Sequence, residues 1–270
     1  MRMETFKIQV EGSMPDTKMT VYIQGTSPEL LMKKRPMILL CPGGGYHWTS
    51  DREADPLAVR FLAMGYHVAI LRYSCAPAGY PTSLLEAATA MKLIHEHAQE
   101  WQVDEEKIVI QGCSAGGHLA ASLGMFWHEA WISEKVGVPN GLLRPAGMIL
   151  CYPVITSGEY AHRGSFENLL CGQYTGEMLE RVSLEKQVTE HTPKAFIWHT
   201  YTDDTVPVEN SLLLISAMKK YDIPVEFHMY SVGGHGLSTC DELAANAEGY
   251  GVQKECQSWL PLVQTWLQNL

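Results

Sequence analysis

A short apolar run ends directly in the pattern Gly-x-Ser-x-Gly. Residues 107–111 read Lys-Ile-Val-Ile-Gln and are followed at once by Gly112-Cys113-Ser114-Ala115-Gly116. This order predicts a strand, a sharp turn and a helix, with the Ser114 hydroxyl exposed at the end of a sheet. The glycines are needed because a Cβ there would clash with the adjoining strand and helix. The expected helix would direct its free N–H groups and positive dipole end at Ser114.

The pentapeptide alone leaves two interpretations open, a nucleophile or a capping serine at a glycine-rich helix N-terminus. A nucleophilic serine needs a base that takes its proton and an acid that orients the base. In α/β-hydrolases the chain order is serine, acid, histidine. Asp203 and Asp204 follow a predicted strand at Ala195–Thr200, and His235 lies among three glycines after a predicted strand at Val225–Tyr230. These residues supply the missing partners in that order, although a solvated loop histidine is the alternative for His235.

Three successive glycines follow another apolar strand, Met37–Leu40. In Pro42-Gly43-Gly44-Gly45 the backbone N–H groups can approach a ligand closely, as an oxyanion hole requires. A flexible glycine turn is the alternative. The next residues, Tyr46, His47 and Trp48, are candidates for a substrate pocket or for a plain surface loop.

Six stretches of the chain resemble the carbohydrate-esterase-like branch of the α/β-hydrolases, the group described as feruloyl and acetyl-xylan esterases. The stretches are Cys41–Tyr46, Ser50–Ala54, Gly112–Ala120, Tyr152–Thr156, Glu185–Thr189 and Trp198–Ser211. The resemblance extends from about Met37 to the C-terminus. Related lipases carry His-Gly-Gly-Gly where this chain has Pro42 before its glycines, a change that keeps the backbone donors.

The resemblance also implies roles for individual residues. By position, it assigns the oxyanion donors to the N–H groups of Gly44, Gly45 and Ala115. It favours Asp203 as the acid, because this residue stands four before Pro207 in Asp-x-x-Val-Pro. Asp204 would then cap the following helix or face solvent.

Strand and helix patterns alternate along the whole chain, which predicts an α/β fold. The expected strands are Phe6–Val10, Met19–Ile23, Met37–Leu40, His67–Leu71, Lys107–Gln111, Gly147–Leu150, Ala195–His199 and Val225–Tyr230; the expected helices are Asp55–Ala63, Ser83–Gln99, Ala115–Trp127, Val208–Tyr221 and Gly251–Leu267. Together they predict an α/β-hydrolase fold, a mostly parallel, eight-stranded, doubly wound sheet in one domain over 1–270. The polar segment at about 157–192, with a helical patch at Gly176–Arg181, is either a small cap over the site or a packed surface excursion, and the resemblance implies the cap-like insertion.

Composition excludes several classes of partner. The net charge of −10 disfavours nucleic acid and anionic membranes, since both require a basic face. The seven cysteines are odd in number and lack Cys-x-x-Cys spacing, which favours free thiols in a reducing compartment. The N-terminal residues show no apolar signal segment, and no stretch is long and apolar enough to cross a bilayer, so we expect a cytoplasmic protein. His95 and His97 face different directions on a helix, and we expect no metal or other cofactor.

The function predicted from these features is serine carboxylesterase activity on short-chain acetyl esters, with sugars or xylo-oligosaccharides as the alcohol. An amidase such as an arylformamidase, which shares the fold and triad, and a non-catalytic binding protein of the same fold are the alternatives. His118 is expected to be a core or capping histidine. Arg52 and Glu53 either pair near the pocket and support the oxyanion loop or are solvated. The sequence leaves the oligomeric state open.

Overall fold

Eight strands form one sheet in which only the second strand runs antiparallel to the rest. The structure, a computed structural model, describes residues 1–270. The strands are β1 (Arg2–Lys7), β2 (Lys18–Ile23), β3 (Arg35–Cys41), β4 (His67–Arg72), β5 (Val103–Cys113), β6 (Gly147–Cys151), β7 (Ala195–Thr200) and β8 (Val225–Tyr230). Their order is β1-β2-β4-β3-β5-β6-β7-β8. The pairs β1–β2 and β2–β4 are antiparallel and all others are parallel, which confirms the mostly parallel sheet.

Helices cover both faces of this sheet. They are α1 (Asp55–Ala63), α2 (Thr82–Glu96), α3 (Ala98–Trp101), α4 (Ala115–Phe126), α5 (Ala130–Val136), α6 (Arg163–Leu170), α7 (Gly176–Arg181), α8 (Glu209–Lys220) and α9 (Trp259–Gln268). Alternation along β3 sends Met37 and Leu39 into a core shared with α2, α4 and α8, and Ile38 and Leu40 into a second core shared with α1 and α9. The sheet is therefore doubly wound. No helix is long and apolar enough to span a membrane.

Several element boundaries differ from the sequence predictions, three of them at the following places. β1 lies four residues earlier than expected, since Lys7 pairs with Lys18 and the chain then turns back. The helix predicted from Gly251 begins at Trp259, because Pro261 is tolerated only in a first helical turn and would break a longer helix. The helix predicted over Ser83–Gln99 ends at Glu96, and the short helix α3 follows.

The segment 157–192 packs partly against the core and partly faces solvent. In α6, Phe166 and Leu170 are fully buried, whereas α7 buries none of its residues. Ser157 N–H donates to Ser183 Oγ and Leu184 N–H donates to Ile155 O, which holds the segment to the chain that follows β6. The segment thus rests on the sheet edge beside the glycine-rich loop.

The carboxyl ends of β3, β5, β7 and β8 meet at one edge of the sheet. The glycine loop follows β3, Ser114 follows β5, Asp203 follows β7 and His235 follows β8. In open α/β sheets this is the edge at which ligands bind. The topology therefore brings together four segments that are far apart in sequence.

Candidate active site

Ser114 occupies a strained turn between β5 and α4. Its φ of 53° and ψ of −121° lie where non-glycine residues are rarely found. The flanking glycines permit this turn, because a Cβ on Gly112 would lie 2.0 Å from Gly116 O and one on Gly116 would lie 2.1 Å from Cys41 O. The predicted strand, turn and helix are therefore present, with the serine side chain at the sheet edge.

Ser114, His235 and Asp203 form one hydrogen-bonded chain. The distance from His235 Nε2 to Ser114 Oγ is 2.8 Å, and that from His235 Nδ1 to Asp203 Oδ2 is 2.7 Å. The Asp203 side chain is fully buried, while 17% of the His235 side chain remains exposed. Asp204 is exposed and accepts only from the Thr205 hydroxyl. Of the two adjacent carboxylates, the structure places Asp203 against His235.

The carboxylate of Asp203 is fixed from several sides. Its Oδ1 accepts hydrogen bonds from the N–H groups of Thr205 and Val206, at 3.0 and 2.9 Å. Its Oδ2 lies 3.3 Å from Nε2 of the buried His199 as well as contacting His235. Burial raises the pKa of Asp203, but the hydrogen bonds from His199 and His235 outweigh burial and hold the pKa well below its usual range. Asp203 is therefore ionised at neutral pH.

Backbone N–H groups without a protein acceptor lie on the cavity that Ser114 lines. Gly44 and Gly45 have φ values of 132° and 64°, and their N–H groups donate to no protein acceptor. Ala115 is the first residue of α4, so its N–H has no partner within the helix. The N–H of Gly43 instead donates to Glu53 Oε2 at 2.8 Å, which fixes the loop. The geometry leaves Gly44, Gly45 and Ala115 free to donate to an anion.

The loop that carries His235 is fastened by Arg52 and Tyr250. Arg52 donates through Nη2 to Gly236 O at 3.0 Å and through Nε to Ala244 O. The Tyr250 hydroxyl donates to His235 O, and the Arg52 guanidinium lies 5.6 Å from the Tyr250 ring centroid. These contacts restrain the backbone carbonyls of His235 and of Gly236, the residue that follows it.

A cavity of about 410 Å³ opens at Ser114. Its lining residues are Gly44, Gly45, His47, Trp48, Ser50, Arg52, Glu53, Ser114, His162, Gly164, Asn168, Thr205, His235 and Gly236. Trp48 is the one hydrophobic residue among them, and no aliphatic side chain lines the cavity. The site therefore offers polar groups for hydrogen bonds, and its apolar surface comes from Trp48 and from the carbon atoms of glycines and polar residues rather than from aliphatic side chains.

The BD-FAE family model matches residues 26–218, which is more than half of the chain. The chain belongs to the BD-FAE family. This membership confirms the resemblance stated above, and the match includes Ser114 and Asp203 but ends before His235.

Individual relatives agree with the BD-FAE assignment. The chain is 35% identical over 215 residues to the endo-1,4-beta-xylanase B of Butyrivibrio fibrisolvens, covering 77% of this chain but only 33% of that protein. Its structure is similar to the acetyl ester-xyloside bifunctional hydrolase of Caldicellulosiruptor lactoaceticus, with a TM-score of 0.81, 31% identity, and 94% and 88% of the two chains covered. An alpha/beta hydrolase enzyme from a Medee basin deep-sea metagenome library gives a TM-score of 0.80 at 31% identity over 100% and 97% of the chains. The predicted α/β-hydrolase fold is confirmed.

Among the predicted pocket residues of this BD-FAE chain, Tyr46 was wrongly placed. His47 and Trp48 line the cavity, but Tyr46 is only 2% exposed and does not. Its φ of 56° turns the side chain inward, where its hydroxyl lies 2.9 Å from Nδ1 of the buried His118. Tyr46 therefore packs in the protein interior and supports the glycine loop, Pro42–Gly45, from its buried side.

Sequence reasoning named Arg52 and Glu53 at the site but missed two other side chains. Arg52 and Glu53 both line the cavity, and Glu53 supports the glycine loop as one interpretation expected, but the two do not pair, since Glu53 accepts from Gly43 N–H and from the Tyr152 hydroxyl. His162 and Asn168 of the 157–192 segment line the cavity, yet no motif marks them. The one feature of the sequence that pointed toward them was the position of this polar segment between β6 and β7, the strand that Asp203 follows.

Proposed function

We propose that this protein is a serine carboxylesterase that removes short acyl groups, acetyl first of all, from sugars or xylo-oligosaccharides. The observation that carries this proposal is the bridge that His235 forms between Ser114 and the buried Asp203, beside free backbone N–H groups on an open cavity. Nucleophile, base, orienting acid and oxyanion donors are the parts that acyl transfer requires.

The reaction follows from this geometry. Ser114 Oγ attacks the ester carbonyl while His235 Nε2 takes the hydroxyl proton, and Asp203 stabilises the imidazolium that forms. The N–H groups of Gly44, Gly45 and Ala115 bind the oxyanion of the tetrahedral intermediate. His235 then gives the proton to the departing alcohol. Water, activated by the same imidazole, attacks the acyl-enzyme and releases the acid.

Relatives and cavity chemistry support the substrate class. The structural neighbour from Caldicellulosiruptor lactoaceticus is an acetyl ester-xyloside hydrolase, and the relative from Butyrivibrio fibrisolvens is a xylanase. The cavity lacks the aliphatic lining that a fatty acyl chain would need, but it suits a small acyl group attached to a polyhydroxylated alcohol. The substrate partner is accordingly a small-molecule or oligosaccharide ester. The seven free cysteines support the further proposal that the protein works in the reducing cytoplasm.

The test is a panel of p-nitrophenyl acetate, butyrate and octanoate together with acetylated xylo-oligosaccharides and an aryl formamide. We expect acetate esters to give the highest kcat/KM and the sugars to release acetate. Ser114→Ala should lose on the order of 10⁶ in kcat while remaining folded by circular dichroism. A preference for octanoate would contradict the short-acyl proposal, and faster turnover of the formamide would favour the amidase. Turnover by Ser114→Ala that equals wild type would refute the nucleophile.

A further inference from the structure

The 157–192 segment contributes polar side chains to the cavity that the acyl-transfer chemistry does not use. His162, at the start of α6, and Asn168, within it, line the cavity together with the loop that carries Gly44 and Gly45. Neither residue contacts Ser114, Asp203 or His235 by a hydrogen bond. Residues that line the cavity without contacting the triad are placed to bind the substrate.

The imidazole of His162 is held by one nitrogen and leaves the other free. Its Nδ1 lies 2.8 Å from the hydroxyl of Ser165, a side chain that is 1% exposed and has no other partner. Its Nε2 contacts no protein donor or acceptor. The ring lies beside the oxyanion loop, since a Cβ added to Gly45 would be 3.9 Å from His162 Cε1. The structure thus positions the ring while leaving one hydrogen-bonding atom unused.

The charge state of His162 suits a neutral ligand. Burial and the nearby His235 lower the pKa of His162, and Asp203 opposes them only in part. The ring is therefore neutral at pH 7, so it carries no positive charge that would favour an anion. A neutral imidazole nitrogen either donates or accepts one hydrogen bond, and a hydroxyl group satisfies both tautomers.

Asn168 offers a complementary free atom. Its Nδ2 donates to Gly45 O at 2.8 Å, which fixes the amide, and its Oδ1 has no protein partner. The amide oxygen can accept a hydrogen bond from a hydroxyl. Trp48 stands on the same cavity with 59% of its surface exposed, and exposed aromatic faces of this kind pack against apolar ligand surfaces.

We propose that His162 Nε2 and Asn168 Oδ1 form a subsite for free hydroxyl groups on the alcohol part of the ester, next to the acylated oxygen. This inference rests on the proposed esterase function and extends it, because a simple alkyl or aryl ester cannot use either atom. The ligand class is a partly acylated sugar that keeps a hydroxyl beside its ester. A fully acylated sugar would leave both polar atoms unpaired and bind more weakly.

The experiment uses the whole chain and compares two substrates, which are a mono-acetylated xyloside with free hydroxyls and p-nitrophenyl acetate. The readout is the ratio of their kcat/KM values. His162→Ala should lower this ratio about five- to tenfold, mainly through the KM of the sugar ester, as expected for one lost hydrogen bond to a neutral group. His162→Gln should restore part of the ratio, and Ser165→Ala, which frees the ring without reaching the cavity, should lower it less. His191→Ala, an exposed histidine outside the cavity, should leave it unchanged.

Each outcome decides the proposal. An equal fall for both substrates in His162→Ala would assign His162 to the reaction or to folding and overturn the subsite. An unchanged ratio of the two kcat/KM values in His162→Ala would also overturn the subsite. The same holds if wild type hydrolyses the fully acetylated xyloside with a kcat/KM as high as that for the mono-acetylated one. If wild type failed to hydrolyse p-nitrophenyl acetate, the esterase proposal would be refuted, and the subsite proposal, which rests on it, would be refuted too.

Discussion

Asp203 and Asp204 both follow β7, but their side chains point in different directions. That direction decides which of the two carboxylates acts on His235. Adjacent side chains leave the backbone on different sides, so only one of Asp203 and Asp204 can reach the imidazole. Asp203 turns inward and is 6% exposed, whereas Asp204 faces solvent. The N–H groups of Thr205 and Val206 then hold Asp203 Oδ1 and leave Oδ2 for His235.

We therefore expect Asp203→Asn to lose about 10⁴ in kcat, because the imidazole loses its orienting charge. Asp204→Asn should stay close to wild type. The measurement is kcat for p-nitrophenyl acetate at neutral pH, with both variants purified side by side. If Asp204→Asn were the crippled enzyme and Asp203→Asn near normal, the acid would be assigned to the wrong residue.

His199 contacts the acid from outside the cavity. Its Nδ1 lies 2.8 Å from Ser211 Oγ, and its Nε2 is shared between Val206 O at 2.9 Å and Asp203 Oδ2 at 3.3 Å. The ring is fully buried and does not line the cavity. His199 is therefore a positioning residue, which acts on the reaction only through Asp203.

Replacing His199 by Leu should lower kcat about tenfold with little change in KM, since a hydrogen bond to a charged carboxylate is lost while the cavity is intact. His67→Leu is the matched control, because His67 is equally buried but lies at the start of β4, at the opposite edge of the sheet. Steady-state kinetics of both variants measure the effect. A rise in KM without a fall in kcat for His199→Leu would contradict the positioning role.

At the scale of elements, the turn between β5 and α4 is limited by backbone contacts. A Cβ on Gly116 would lie 2.1 Å from Cys41 O and 2.4 Å from Pro42 O, both main-chain atoms that cannot rotate away. Either β3 or α4 would have to shift. Gly176, the first residue of α7, is the opposite case, because nothing lies within 4 Å of its Cβ position.

Gly116→Ala should accordingly reduce the free energy of unfolding by about 3 kcal/mol and impair activity, since the clash displaces the strand from the helix. Gly176→Ala should be neutral or stabilise by up to about 1 kcal/mol, because alanine lowers the entropy of the unfolded chain. Urea unfolding of both variants gives these values. Equal stability of the two variants would show that the turn tolerates a side chain.

The contrast between these elements explains what could be predicted from the sequence. The Ser114 turn was predictable because its sterics are local and demand glycines at fixed spacing. Asp203 and His235 were predictable because each directly follows a strand, and parallel strands share one carboxyl edge. The inward turn of Tyr46 was not, since its left-handed backbone follows from the packing of the whole loop. His162 and Asn168 reach the cavity only through the tertiary placement of α6, which no local pattern encodes.

At the scale of the whole molecule, one buried histidine joins three parts of the fold. His118 lies on α4, its Nε2 donates to Val182 O of the 157–192 segment at 2.8 Å, and its Nδ1 is 2.9 Å from the Tyr46 hydroxyl. Burial lowers the pKa of His118 from 6.5 to about 4. The unfolded chain therefore binds more protons than the native chain between these values, so the free energy of unfolding falls as pH falls through this window.

The shift from 6.5 to about 4 corresponds to about 3 kcal/mol of stability that is present above pH 6.5 and lost by about pH 4. We expect His118→Gln to flatten the dependence of the free energy of unfolding on pH across this range, whatever its absolute stability. Some slope should remain, because burial also lowers the pKa of His67 to about 4. Urea titrations at several pH values measure how the free energy of unfolding changes with pH. His191→Gln, at an exposed position, is the control that should retain the wild-type dependence. A slope in His118→Gln equal to that of wild type would show that protonation of His118 does not cause this loss of stability.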